Sequence, residues 1–138
     1  MKRFLTSMVL AILLIPSLAL GETVKFEDLI EREGRFYKKF TDIPFTGEVT
    51  GKKQGTLKDG KQEGPWVEYY DNGQLKGKAT FKDGKPDGPV VIYRRNGLLL
   101  LRGTFKDGKR EGSWVRYKRD GSVDEARTET YRNGEKVK

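Results

Sequence analysis

Lys-Asp-Gly-Lys is written three times in this chain, at Lys58–Lys61, Lys82–Lys85 and Lys106–Lys109, each copy 24 residues after the last. Three residues beyond each copy stands a glycine, Gly64, Gly88 or Gly112. Asp-Gly accepts the positive φ of a tight reversal, so each copy reads as a turn. A second reversal follows in every unit, at Asp71-Asn72-Gly73, Arg95-Asn96-Gly97 and Arg119-Asp120-Gly121. Two short strands and two turns use up the period, and a chain held to that period folds as a repeat array. The expected fold class is all-β, an open twisted antiparallel meander of stacked 24-residue β-hairpin repeats.

Between the turns the units align residue by residue. Gly64-Pro65-Trp66-Val67-Glu68-Tyr69-Tyr70 matches Gly88-Pro89-Val90-Val91-Ile92-Tyr93-Arg94 and Gly112-Ser113-Trp114-Val115-Arg116-Tyr117-Lys118. Side chains alternate faces along a strand. Val67, Val91 and Val115 therefore share a face with Tyr69, Tyr93 and Tyr117, and this face is expected to be the core. Leu75, Ala79 and Phe81 on one partner strand, with Leu99, Leu101, Gly103 and Phe105 on the next, are expected to meet it there. The small residues Ala79 and Gly103 leave room for an aromatic ring over the backbone. Gly60, Gly84 and Gly108 complete the framework together with Gly64, Gly88 and Gly112. The other face carries Trp66, Glu68 and Tyr70, then Val90 and Ile92, then Trp114 and Arg116. Two readings stay open for it: a half-exposed partner surface built on Trp66, Tyr70 and Trp114, or a wall that sheet coiling buries.

The array does not cover the whole chain. Met1-Lys2-Arg3 followed by apolar sequence from Phe4 to Leu20 and by Ala19-Leu20-Gly21 reads as a signal peptide over residues 1–21, cut before Glu22. Residues 22–44 form a lead-in off the repeat spacing, with a helical turn or irregular strand near Phe26–Arg32 and a strand at Arg35–Phe40. The repeat domain spans 45–138. Its last return, Thr130–Lys136, comes 26 residues after Thr104, so two residues are inserted within Ser122–Thr128, read as a bulge or widened corner. The final strand is expected to cap the array with a charged edge.

Composition removes most chemistry. The chain has no histidine and no cysteine, which excludes the imidazole base, the thiol nucleophile, disulfides and nearly every zinc or iron site. Carboxylates would have to carry any catalysis, yet Asp59, Asp71, Asp83 and Asp107 sit where a short acid explains itself by bonding the turn backbone. Neither an enzyme nor a cofactor is expected. Asp120-Gly121-Ser122-Val123-Asp124-Glu125 spaces oxygens at alternate positions but lacks the glycine and the terminal acid of a calcium loop. The net charge is +8, of which Lys2 and Arg3 contribute two. Such mixed charge describes a soluble surface rather than a nucleic-acid partner. Lys58, Lys61, Lys82, Lys85, Lys106 and Lys109 would stand as a ladder at one end of the hairpins, either as solvated turn charge or as an edge, carried above all by Lys61, Lys85 and Lys109, that faces an anionic membrane or cell-wall polymer.

The recurring text Asn-Gly-x-Leu … Thr-Phe-Lys-Asp-Gly-Lys-x-x-Gly-x-Trp-x-x-Tyr, with the lead-in Pro44-Phe45-Thr46-Gly47 and the closing Tyr131-Arg132-Asn133-Gly134-Glu135-Lys136-Val137, resembles the MORN (membrane occupation and recognition nexus) repeats. More closely it is similar to the bacterial variant labelled the YwqK-type toxin–antitoxin antitoxin repeat. The likeness covers about residues 45–138. It implies a meander of stacked hairpins whose glycine, tryptophan, valine and tyrosine positions are framework, and it carries over no catalytic or ligand residue. For function it implies a protein-binding or scaffold module, antitoxin-like in one branch and phospholipid-contacting in another. The signal-like start points instead to an exported protein of the periplasm or exterior, with an unidentified protein as partner.

Overall fold

A computed structural model describes residues 22–138; the expected signal segment lies outside the described residues. The strands are β1 (Thr23–Lys25), β2 (Leu29–Arg32), β3 (Arg35–Lys38), β4 (Gly47–Thr50), β5 (Lys53–Lys58), β6 (Lys61–Tyr69), β7 (Leu75–Lys82), β8 (Lys85–Tyr93), β9 (Leu99–Lys106), β10 (Lys109–Arg116), β11 (Glu129–Arg132) and β12 (Glu135–Val137). From β4 to β12 each strand pairs antiparallel with the next, giving the expected all-β meander. One pairing departs from it: β1 runs parallel to β4, Thr23 opposite Glu48, which makes the ten-stranded sheet mixed. β2 and β3 form a separate hairpin, entered through a 3-10 turn at Phe26–Asp28.

The Asp-Gly turns behave as their chemistry demands. Asp59, Asp83 and Asp107 take φ of 52°, 52° and 50°, each followed by a glycine that is also at positive φ, the paired left-handed geometry that matches strand twist in a two-residue hairpin. Asn133-Gly134 does the same, and so does Glu33-Gly34 between β2 and β3. Each turn then hangs on its predecessor. The amides of Gly84, Gly108 and Gly134 donate to the carbonyls of Gln62, Pro86 and Arg110, all at 2.9 Å. Glu63, Asp87 and Glu111 accept from the amides of Asp83, Asp107 and Asn133 at 2.8, 3.2 and 2.7 Å. One acid per unit thus ties down the next unit's turn.

The register corrects the expected core face. Cross-strand partners point to the same side, and the pairing runs Trp66–Ala79–Val90–Gly103 on one side and Gln54–Val67–Lys78–Val91–Arg102 on the other. Ala79, Phe81, Gly103 and Phe105 therefore share a face with the tryptophans and not with Val67, Val91 and Val115. The valine row alternates with Lys78 and Arg102, and it stays half-buried. Tyr69 and Tyr93 stand opposite Leu75 and Leu99 across a bulge. The core proper is Phe45, Val49, Leu57 and Trp66, against which Val24, Phe26, Leu29, Phe36 and Phe81 pack.

Candidate functional site

The tryptophan face is built on a size rule. A Cβ added to Gly55 would stand 2.4 Å from Cδ2 of Trp66, and one on Gly103 would stand 2.3 Å from Cδ2 of Trp114, so each indole lies flat on a strand that must be bare there. Trp66 and Trp114 are 5% and 4% exposed. Of the two readings left open for this face, burial is the one that holds for Trp66 and Trp114 and the exposed surface is corrected: glycine lets the rings sink into the sheet. Phe105 meets Trp114 edge-on at 4.9 Å, and the Arg110 guanidinium stacks 4.6 Å above its ring. Trp66 Nε1 donates to the carbonyl of Thr56 at 3.1 Å, while Trp114 Nε1 is buried without a partner.

Tyr70 is likewise committed. It is half-buried, and its hydroxyl donates to the Tyr93 carbonyl one unit on, at 2.6 Å. Arg94, at the matching place in the next unit, donates from Nη2 to the Tyr117 carbonyl at 2.9 Å. Both side chains staple consecutive units at the end of the sheet opposite the Asp-Gly turns.

The lysine ladder is also partly structural. A Cβ on Gly84, Gly108 or Gly134 would lie within ordinary contact of the Lys61, Lys85 or Lys109 stem, at 3.5, 3.6 and 3.4 Å. Arg35 covers Gly60 in the same way and pairs with Asp59 at 2.7 Å. Each long stem shields the next turn while its charged head stays in water, except that the Lys61 ammonium lies 3.6 Å from the Asp83 carboxylate. The row of heads is what remains of the anion-facing edge.

One feature of the tryptophan face escapes the framework. The positions of Trp66 and Trp114 are held in the middle unit by Val90, and the matching glycine position by Ala79. The positions of Glu68 and Arg116 are held there by Ile92, and the Glu68–Lys76 ion pair at 3.1 Å has Ile92 and Leu100 at its equivalent places. The outcome is a groove of about 310 Å³, lined by Trp66, Gly77, Ala79, Phe81, Val90 and Ile92 together with Lys53, Gln62 and Glu68, and reached also by Val67, Lys78 and Val91 of the alternate row. Sequence reasoning passed over it because Val90 and Ile92 look like ordinary strand residues. The signal was their departure from the repeat.

A second apolar feature was also missed. Phe40, at φ of 64°, is fully exposed on the loop after β3, and Ile43 is 78% exposed beside it. Reading Arg35–Phe40 as one strand hid this, since the strand stops at Lys38.

Among the described residues, the charges that are perturbed lie at the surface. A hydrogen bond from Lys136, and then one from the Tyr131 hydroxyl, hold the Glu129 carboxyl below its ordinary value, and the same contact raises Lys136. Lys52 does this to Asp71 and is raised in turn, and the Ser122 hydroxyl and amide lower Asp120. None of these groups sits in the groove. Among the described residues no cluster of three or more acids is placed to hold a metal.

Residues 62–83, from within β6 to the turn after β7, match the family described as MORN repeat variant. No curated protein and no solved structure matches the chain.

Proposed function

We propose that this chain is an exported, non-enzymatic binding module that takes a protein partner on the tryptophan face, in the groove at Val90 and Ile92. The observation that carries it is Ile92, a half-buried apolar side chain where the units on either side place Glu68 and Arg116. The units on either side carry charge at this position, so the repeat itself does not demand an apolar side chain there. The MORN repeat variant at residues 62–83, a module associated with protein or membrane binding, supports the reading. The basic and apolar start of the sequence supports export; an antitoxin-like role would instead place the partner inside the cell.

The experiment is a fractionation of cells expressing the full sequence, with the partner captured by crosslinking from position 92. A shortened protein outside the cytosol, crosslinked at 92 to one discrete species, is the expected result. Full-length cytosolic protein sinks export, and crosslinks that appear equally from the valine face at position 115, outside the groove, sink the groove.

A second reading rests on the Lys61, Lys85 and Lys109 heads and on exposed Phe40 and Ile43: contact with an anionic lipid surface or cell-wall polymer. Charge would attract and the apolar loop would insert. Sedimentation with anionic vesicles that is absent, or unchanged between low and high salt, contradicts it.

A further inference from the structure

The two inserted residues of the last corner do more than lengthen a loop. The corner that holds them contains a three-residue 3-10 turn, Glu125–Arg127, which folds back onto the end of β10. The amide of Asp124 donates to the Arg116 carbonyl at 2.7 Å, the Thr128 hydroxyl donates to the Asp124 carbonyl at 2.9 Å, and the Arg116 amide donates to that hydroxyl at 3.2 Å. This closed corner borders a cavity of about 540 Å³ at the end of the strands opposite the lysine turns.

Five cations line that cavity, Arg94, Arg116, Lys118, Arg119 and Arg127, against the single carboxylate of Asp124. Asp124 is already engaged, 3.8 Å from Nε of Arg127. Among the described residues, the other four cations form no ion pair. Arg94 adds a buried donor, its Nε, that meets no acceptor although its Nη2 is held by the Tyr117 carbonyl.

The repeat shows that this charge is not needed for folding. Arg116, Lys118 and Arg119 occupy the positions of Glu68, Tyr70 and Asp71 two units earlier. Three matched positions have thus moved from two acids to three cations. In the earlier unit both acids are neutralised, Glu68 by Lys76 and Asp71 by Lys52. Nothing neutralises their replacements. Arg94 and Arg116 are half-buried at the base of the cavity while Lys118, Arg119 and Arg127 stand exposed at its rim, so the repulsion is partly screened by water, and an anion that joins them relieves the rest; guanidinium forks match the tetrahedral oxygens of a phosphoryl group.

We propose that this cavity binds a phosphoryl group bearing two or more charges, either as a small soluble ligand or as the headgroup of a lipid. The site is separate from the groove and from the lysine turns, and stands or falls independently of both.

Calorimetric titration of the protein expressed from its full sequence with inorganic pyrophosphate tests it. The expected result is saturable binding that weakens as salt is raised and that falls about tenfold or more in the double variant Arg116→Glu, Arg119→Asp. The first unit carries those acids at the same places with Lys76 and Lys52 as partners, whereas Asp124 and Leu100 stand at the lysines' places here, so the melting temperature of the variant is measured alongside its binding. Should that variant unfold, Arg116→Gln with Arg119→Gln removes the charge without reversing it, and the same loss is expected. Vesicles with and without phosphatidic acid separate the sources. Pelleting that pyrophosphate competes away assigns the site to a headgroup, and pyrophosphate binding without pelleting assigns it to a soluble ligand. The proposal is overturned if neither probe binds, if binding survives both double variants undiminished, or if Lys85→Gln with Lys109→Gln abolishes it while Arg116 and Arg119 are intact.

Discussion

At Gly103 the absence of a single carbon decides where a tryptophan goes. The Trp114 ring occupies the space that a Cβ would need, 2.3 Å from its Cδ2, and the backbone beneath cannot yield as a flexible side chain would. Gly103→Ala is therefore expected to cost about 1–3 kcal/mol by overpacking. Trp114→Ala empties the site and should cost about 3–5 kcal/mol. Thermal or urea unfolding of both variants checks the pair of values, and a Trp114→Ala protein as stable as the wild type would return the indole to the surface. The sequence did carry half of this. Gly103 and Ala79 were readable as room for an aromatic ring, but which ring was not, because alternation tells which residues share a side within one strand and leaves the register between strands open. Aligning Ala79 with Val67 by hydrophobicity put the two on one face; the ladder puts Ala79 opposite Trp66.

A residue-scale contact at the far end responds to pH. Glu129 has its pKa lowered chiefly by the hydrogen bond from Lys136, so that bond stabilises the β11–β12 hairpin above the ordinary glutamate value and is lost as pH falls through the depressed one. Lys136 is raised, so its share is present below the ordinary lysine value and lost as pH climbs through the raised one. Carbon-detected NMR titration of the Glu129 carboxyl should give a midpoint below that of glutamate in a short peptide. A midpoint at or above it contradicts the pairing.

At the scale of the hairpin, the unit obeys a pairwise rule: Gly55 with Trp66, Ala79 with Val90, Gly103 with Trp114. A large ring requires a bare strand, and a methyl group permits only valine. Val90→Trp alone is expected to destabilise, since its ring would meet the Ala79 methyl as the other indoles would meet a Cβ on their glycines. Combined with Ala79→Gly it should be accepted. The cycle should show a favourable coupling of about 0.5–3 kcal/mol by equilibrium unfolding. Strict additivity would mean that the two positions do not share the space assigned to them. The turns were legible at this scale because Asp-Gly dictates its own φ; the acids Glu63, Asp87 and Glu111 were not, because their role is to bond a different unit's backbone. The turn in the lead-in was missed for a related reason. Glu33-Gly34 adopts the same geometry without the Lys-Asp-Gly-Lys text, and it stands 26 residues before Gly60.

The molecule as a whole is a ladder in which nearly every repeated residue is accounted for by its neighbour one unit away. Lysine stems cover glycines, acids hold amides, Tyr70 and Arg94 reach the next carbonyl. Function is then to be sought where the units differ, and the middle unit differs most on the tryptophan face, at Val90 and Ile92. The measurement that tests this most directly is a comparison of Ile92→Glu with the wild-type protein for partner crosslinking and for melting temperature. Glu68 stands at that position in the preceding unit with Lys76 as its ion-pair partner, so Leu100→Lys is introduced together with Ile92→Glu, and the variant should then melt close to the wild type while its partner is lost. A variant that keeps the partner at wild-type yield, or one whose partner is lost only because the sheet has unfolded, would contradict a docking groove on this face.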